Sequence, residues 1–241
     1  MVEATSAAQS TDDRDESTAD SLSPAMEDYL RHIYNLEEAG EEWVSNSAVA
    51  DRLSVERATV TSMFDALGDR GFLEREKYRP VRLTPLGRTA ALAVVRKHRL
   101  VETFLVEVFD YELSEVDAEA DTLEHHLSDR LAREFSNLLG APELDPHGDP
   151  IPDANLDVPA AGERVSVADT DVGTRHVVTR VTSRDDETLA YLVEAGVKPS
   201  ATLTVDETTP FGMVTVSVES DESTVSLPAD VAASVLVESV E

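Results

Sequence analysis

Residues 45–83 read SNSAVADRLSVERATVTSMFDALGDRGFLEREKYRPVRL, and the fold turns on how this stretch divides. Ser45 heads a short helix through Ala48, Val49 and Leu53, and Ser54-Val55 is its break. A second helix occupies 56–70, with Val60, Met63, Phe64 and Leu67 as a buried stripe at helical spacing. Gly71 stops it, because glycine accepts the backbone of a helix terminus at little cost. From Phe72 to Leu83 apolar and polar residues partly alternate around a turn at Arg79-Pro80, which predicts a two-stranded hairpin. Upstream, Ser23-Pro24 opens a further helix with Met26, Tyr29, Leu30, Ile33, Tyr34 and Leu36 on one stripe, proline being favoured at a first helical position. Three helices, a tight turn between the second and third, and a basic hairpin together predict a winged helix-turn-helix.

Working outward, residues 1–23 are Ser, Thr, Ala, Asp and Glu with almost no large apolar side chain. Such a tail cannot bury enough surface to offset its ordering entropy and is expected to be disordered. After the hairpin, two long helices are expected at about 85–109 and 114–139. Their stripes (Leu92, Val95, Leu100, Phe104, Val108 and Leu123, Leu127, Leu131, Phe135, Leu138) suit packing on each other and on a second subunit. The proline-rich segment 141–162 reads as a linker. Short alternating strands follow at Arg164–Ala168, His176–Thr182, Ala201–Asp206, Gly212–Glu219 and Thr224–Leu227, interrupted by a helix at Glu187–Ala195, as in a small SH3-like barrel. The expected class is mainly α with a small β domain: tail 1–23, winged helix 24–88, helical dimerisation and metal-binding domain 89–140, linker 141–162, barrel 163–241.

The chain has 241 residues, no cysteine, and 49 acidic against 20 basic side chains, for a formal net charge of −29. Zero cysteine excludes disulfides, thiolate metal sites and cysteine nucleophiles. No apolar run reaches 18 residues and the first residues lack a basic start followed by an apolar stretch, so neither a membrane span nor a secretory signal is expected, and the cytoplasm is the expected compartment. Only Lys77, Lys97 and Lys198 are lysine. Acid-rich, lysine-poor composition fits a halophilic surface, where carboxylates keep the protein hydrated. A charge of −29 argues against nucleic acid as a partner, but its distribution argues otherwise. Residues 57–99 hold ten basic and four acidic side chains, whereas 100–241 hold seven basic and 31 acidic. One basic island in an acidic chain marks where a polyanion docks.

That island contains the reading helix, whose N-terminal residues meet base edges in the major groove. Arg57, Thr59, Thr61 and Ser62 are the candidates there, since Thr and Ser reach phosphates or base edges at short range. Lys77, Arg79 and Arg82 of the hairpin are candidates for phosphate contact and register. Double-stranded operator DNA and a homodimer are the expected partners.

A second pattern is Asp117-x-x-x-Asp121-x-x-Glu124-His125. On one continuous helix these four fall within about 80° of a single face. Carboxylates four apart repel unless a cation or solvent intervenes. The preceding helix offers His98 and Glu102 on one face, and the first helix offers Asp28. Each acid alone reads as solvated surface; the joint pattern points to a divalent metal.

The segments Met26-Glu27-Asp28-Tyr29-Leu30-x-x-Ile33-Tyr34, Arg96-Lys97-His98-Arg99-Leu100-x-Glu102 and Glu124-His125-His126-Leu127-Ser128 resemble the diphtheria toxin repressor / manganese transport regulator family of metal-dependent transcriptional repressors. The resemblance extends over roughly 25–241, the barrel resembling that family's FeoA-like domain. It implies a first metal site of Asp28, Asp121, Glu124 and His125, and a second of His98, Glu102 and Asp117 with an acid of the barrel, for which Asp185 is the candidate. Iron-responsive members carry Met in the first helix and Cys in the EH helix, where this chain has Asp28 and Asp121. Oxygen and imidazole donors favour Mn²⁺ over Fe²⁺ as cofactor. Arg31 stands where manganese-type members carry a second acid, which speaks against a two-manganese cluster of that kind. An iron-dependent regulator of the same fold and a winged-helix regulator without metal remain the alternatives. A metal-dependent hydrolase would need a nucleophile motif or phosphate loop that the chain does not supply, so no enzymatic activity is expected.

Overall fold

A computed structural model describes residues 22–76, 79–160, 162, 164–219 and 223–240. They form two compact units, one ending at Arg88 and the other starting at Thr89. The expected tail lies almost wholly outside the described residues, as does Lys77.

In the first unit α1 spans Pro24–Glu38, with Ser23 capping it by accepting from the Met26 backbone N–H at 3.3 Å. A hydroxyl in that position satisfies a donor the first helical turn leaves open. α2 (Asn46–Leu53) is capped likewise by Ser45 and ends at Ser54, whose φ of 53° marks the turn into α3 (Arg57–Asp69). Leu30, Ile33, Tyr34, Val49, Val60, Phe64 and Leu67 form the core of the three helices, each at most 1 % exposed. Tyr29 meets Phe64 edge to face at 6.5 Å. The hairpin is smaller than its alternation implies: β1 (Leu73–Glu74) pairs with β2 (Arg82–Leu83), and Val44 bridges Val81. Gly87 is required where the chain leaves this hairpin. A Cβ there would stand 2.0 Å from the Phe72 carbonyl oxygen, well inside contact distance.

α4 (Pro85–Phe109) follows. The second long helix expected at 114–139 is instead broken. α5 (Val116–Leu123) passes into a 3₁₀ turn at Glu124–His126, Leu127 is extended, and α6 (Asp129–Leu138) starts afresh under a Ser128 cap that accepts from Leu131 N–H. The apolar spacing runs through the break without a change of period, so only the serine signals it. Leu100, Val101, Leu105, Val116, Ala120, Leu127, Ala132 and Ile151 close the helical core. Phe104 stacks on Phe135 at 4.2 Å. Leu123, Leu131 and Leu138 remain exposed.

Segment 141–162, read as a linker, is packed into the second unit over 145–152. Asp145, His147, Asp149 and Ile151 are buried, and Ile151 belongs to the helical core. Prolines stiffen this stretch rather than free it, and its polar side chains find partners on both sides.

The remaining chain builds a six-stranded antiparallel sheet in the order β3-β8-β4-β5-β6-β7: β3 (Val165–Ser166), β4 (Arg175–Val181), β5 (Thr202–Thr208), β6 (Val214–Val218), β7 (Ser223–Leu227) and β8 (Val235–Ser239). α7 (Asp186–Glu194) follows β4, and α8 (Ala229–Ser234) precedes β8. β8 and α8 are absent from the sequence reading. Yet β8 lies between β3 and β4, with Val165 opposite Val237 and Val178 opposite the same residue on the other side. Valines and leucines pointing to one face fill the core beneath the sheet.

Candidate metal centre and nucleic-acid interface

His98 stands on the buried face of α4, one turn before Glu102. Its ring is surrounded by carboxylates within the second unit. Nδ1 lies 2.6 Å from Glu124 Oε2 and 3.4 Å from Asp121 Oδ1. Nε2 lies 3.3 Å from Glu102 Oε1 and 3.4 Å from Asp117 Oδ1. The donor atoms of His98, Asp117 and Asp121 fall within 4.8 Å of one another. The sequence reading divides Asp117 and Asp121 between two sites; the structure sets them on the two sides of one imidazole. Because α5 ends at Leu123, Glu124 and His125 lie on the 3₁₀ turn, and the single helical face drawn through 117–125 does not persist to its end. His125 Nε2 is 3.6 Å from Glu124 Oε1. Asp28 lies on α1 in the first unit, half-buried.

One candidate ligand escapes the sequence reading. His147 is fully buried, and its Nε2 faces Glu102 Oε1 at 3.4 Å, longer than a good hydrogen bond. Neither of its ring nitrogens has a hydrogen-bond partner among the described residues. A buried imidazole left in that condition is costly unless something further engages it. Asp145 sits on the same loop, also buried. Its Oδ1 accepts from the backbone N–H groups of His147 and Asp149 at 2.9 and 2.8 Å. The Asp-Pro-His spacing was the available signal, hidden by reading prolines as linker. Asp185 is not part of this site: its carboxylate caps α7, accepting from the backbone N–H and hydroxyl of Thr188.

Charge balance inside the cluster is uneven. Burial alone would raise the Glu102 carboxyl, but the facing His98 and His147 imidazoles reverse this and hold it well below the usual range. Burial, together with Asp149 and Glu102, pushes Asp145 well up against the pull of Arg99 and Arg184. Within this unit Glu102, Asp117, Asp121, Glu124 and Asp145 with His98, His125 and His147 offer five carboxylates and three imidazoles, with no sulfur among them, donors suited to a hard divalent ion.

On the DNA-reading side, Arg57 opens α3 and is exposed with Thr59 and Ser62. Thr61 is otherwise engaged: its hydroxyl donates to the Arg57 carbonyl at 2.9 Å and accepts from Asn46 Nδ2 at 2.8 Å. It joins α3 to α2 at a half-buried position. Ser62 bonds back to the Ala58 carbonyl but stays exposed. Arg79 is exposed beside Glu76. Arg82 pairs with Glu74 at 2.7 Å and lies over the Trp43 ring, 4.7 Å from its centroid. No helix among the described residues is long and apolar enough to cross a membrane.

Comparison with known proteins agrees with this architecture. Residues 21–81 match the family model of the iron dependent repressor N-terminal DNA binding domain. Residues 84–153 match its metal binding and dimerisation domain, and 165–239 match the FeoA domain. The iron-dependent repressor IdeR of Mycobacterium tuberculosis (strain ATCC 25618 / H37Rv) is 37% identical over 237 residues, covering 91% of this chain and 99% of the relative. The diphtheria toxin repressor of Corynebacterium diphtheriae is 35% identical over 150 residues, covering 60% of this chain and 66% of the relative. Among solved structures, a manganese-dependent transcriptional repressor in complex with manganese superposes with a TM-score of 0.82 at 36% identity, covering 89% of this chain and all of that one. The manganese regulator SloR superposes at 0.74 with 28% identity, covering 91% of this chain and all of SloR. The matches to all three domains and to IdeR place the chain in the IdeR / diphtheria toxin repressor family of metal-dependent transcriptional repressors, which are not enzymes.

Proposed function

We propose that this repressor acts in the cytoplasm as a homodimer that binds operator DNA of metal-uptake genes when Mn²⁺ is present. The observation that carries the reading is the all-oxygen and imidazole donor set around His98, with aspartate at positions 28 and 121. In this reading Asp28, Asp121, Glu124 and His125 hold one ion. His98, Glu102 and Asp117 hold a second, joined by His147 and Asp145 in place of Asp185. A bound divalent cation supplies the positive charge that lets these carboxylates stay together. Glu124 has a double task, since its Oε2 also fixes the His98 ring at 2.6 Å. Asp28 makes the response reach the DNA-binding unit, because it is the ligand that α1 supplies. Ligation that involves both units favours one arrangement of the dimer's two α3 helices over others, and a differential affinity of about 5.5 kcal/mol suffices to switch 1:99 to 99:1.

Arg57, Thr59, Ser62, Lys77 and Arg79 then make the DNA contacts, with Arg82 held at the hairpin base. The homodimer uses the exposed leucines of α5 and α6. Acid-rich, lysine-poor composition fits work at high salt. Fe²⁺ is the second reading, favoured by the 37% identity to IdeR. The test is operator binding by gel shift with Mn²⁺, with Fe²⁺ under anaerobic conditions, and with EDTA. Mn²⁺ is expected to tighten binding at least tenfold more than Fe²⁺ at equal free concentration. Equal affinity in EDTA overturns the co-repressor role.

A further inference from the structure

The FeoA domain contributes a set of charges that the metal cluster does not use. Asp149 is a buried carboxylate gripped from several elements at once. Arg180 Nη2 on β4 contacts its Oδ1, Arg184 Nη2 just after β4 contacts its Oδ2, and Arg99 Nη2 on α4 stands 3.8 Å from Oδ1. Burial opposes ionisation of Asp149, but Arg99, Arg184 and Arg180 together hold its carboxyl below the ordinary range. An uncompensated charge there would be expensive, so the grip and the buried position imply one another.

Backbone contacts reinforce it. The Val181 N–H donates to the His147 carbonyl at 2.8 Å. Gly148, with φ +86°, lies so close to β4 that a Cβ would stand 2.0 Å from the Thr179 carbonyl oxygen. The α4 side closes the loop from the other direction, with Arg99 donating to the Pro150 carbonyl and Arg96 to that of Pro152. The loop 145–150 is therefore clamped between α4 and β4, with His147 Nε2 facing Glu102 Oε1.

We infer that the FeoA domain is a positioning element for the second metal site: Arg180 and Arg184, by holding Asp149, fix the loop that presents His147 to Glu102. Neither arginine would itself be a ligand; both would act through Asp149. Orientation by such outer partners is worth about 10–100-fold in metal affinity. The inference rests on the second-site reading given above, and its test keeps the two apart. The full-length chain is compared with Arg180→Gln/Arg184→Gln by hydrogen exchange of the amides of Asp145, His147, Gly148, Asp149 and Val181 without metal, and by calorimetric titration with MnCl₂.

Exchange of the loop is expected to quicken about tenfold or more, which corresponds to about 1.4 kcal/mol of lost protection. One of the two Mn²⁺ binding steps is expected to weaken by about tenfold while the other stays within about twofold. Arg180→Lys/Arg184→Lys, which keeps the charge, recovers part of both. Unchanged exchange overturns the clamp. Faster exchange with both Mn²⁺ steps intact supports the clamp and overturns the second-site assignment of His147. If the double glutamine variant does not fold, Asp149→Asn keeps the shape, removes the charge and carries the same two readouts.

Discussion

Thr61→Val separates structure from recognition on α3. Thr61 lies in the first turns of α3, the proposed reading helix, yet its hydroxyl is committed to Asn46 Nδ2 at 2.8 Å and to the Arg57 carbonyl at 2.9 Å. Valine keeps the shape and the β-branch and removes both bonds. The Arg57 carbonyl loses little, being able to accept along the helix. The Asn46 amide loses its acceptor in a half-buried seam, which costs about 1–2 kcal/mol of stability. With a urea m-value of about 1–2 kcal/mol/M for a small unit, the unfolding midpoint followed by circular dichroism should fall by roughly 1 M. Operator affinity in saturating Mn²⁺ should change by no more than about twofold, or about 0.4 kcal/mol. Arg57→Ala is the reverse case. It is exposed at the helix start, so stability should hold within about 0.5 kcal/mol while affinity falls by about 1–3 kcal/mol. If Thr61→Val leaves the midpoint unchanged and weakens operator binding tenfold, the hydroxyl reads DNA and the packing account of this residue is wrong.

Three further outcomes follow from other parts of the molecule. Leu138→Asp, at a side chain 67% exposed two turns along α6 from Leu131, should shift the sedimentation of the proposed metal-loaded dimer to that of a monomer without lowering its helix content. Glu102→Gln should leave about one Mn²⁺ per chain by equilibrium dialysis, because it removes the charge between His98 and His147. Glu219 makes a bidentate pair with Arg175 at 2.5 and 2.6 Å, and that bond holds its carboxyl below the ordinary 4.5. Its folded state thus binds fewer protons than the unfolded chain near that pH. The pair's contribution is present above about pH 4.5 and is lost as pH falls through the folded value. Glu219→Gln should flatten the acid limb of a urea-midpoint series by a small amount, since the pair is exposed and screened; an unaltered limb refutes the contribution.

The winged helix was readable because each of its boundaries carries a side-chain signature: Ser23 and Ser45 cap, Ser54 and Gly71 turn, and Val60, Phe64 and Leu67 repeat at helical spacing. That His98 would lie among Glu102, Asp117, Asp121 and Glu124 was readable from their spacing, but their grouping was not. Grouping depends on the break at 124–128, through which Leu123, Leu127 and Leu131 keep an unbroken period. His147 was lost for a different reason. Proline and glycine around it report local backbone conformation, not exposure, and its loop is held by Arg180, Arg184 and Val181, more than 30 residues away. β8 was missed because its valines pair with β3 and β4 across comparable distances, a long-range property that local alternation does not carry.

Trp43, lying under the Arg82 guanidinium next to the hairpin, is the chain's single tryptophan. Indole emission therefore arises from one place in the whole polypeptide. A fluorimeter reads the winged helix alone, unlabelled, while the remaining 153 residues contribute only weak tyrosine light. Red-shifted emission at a denaturant concentration where far-ultraviolet ellipticity is still partly retained would resolve the melting of one unit from the other. Quenching on adding oligonucleotide would time the arrival of the duplex at the hairpin.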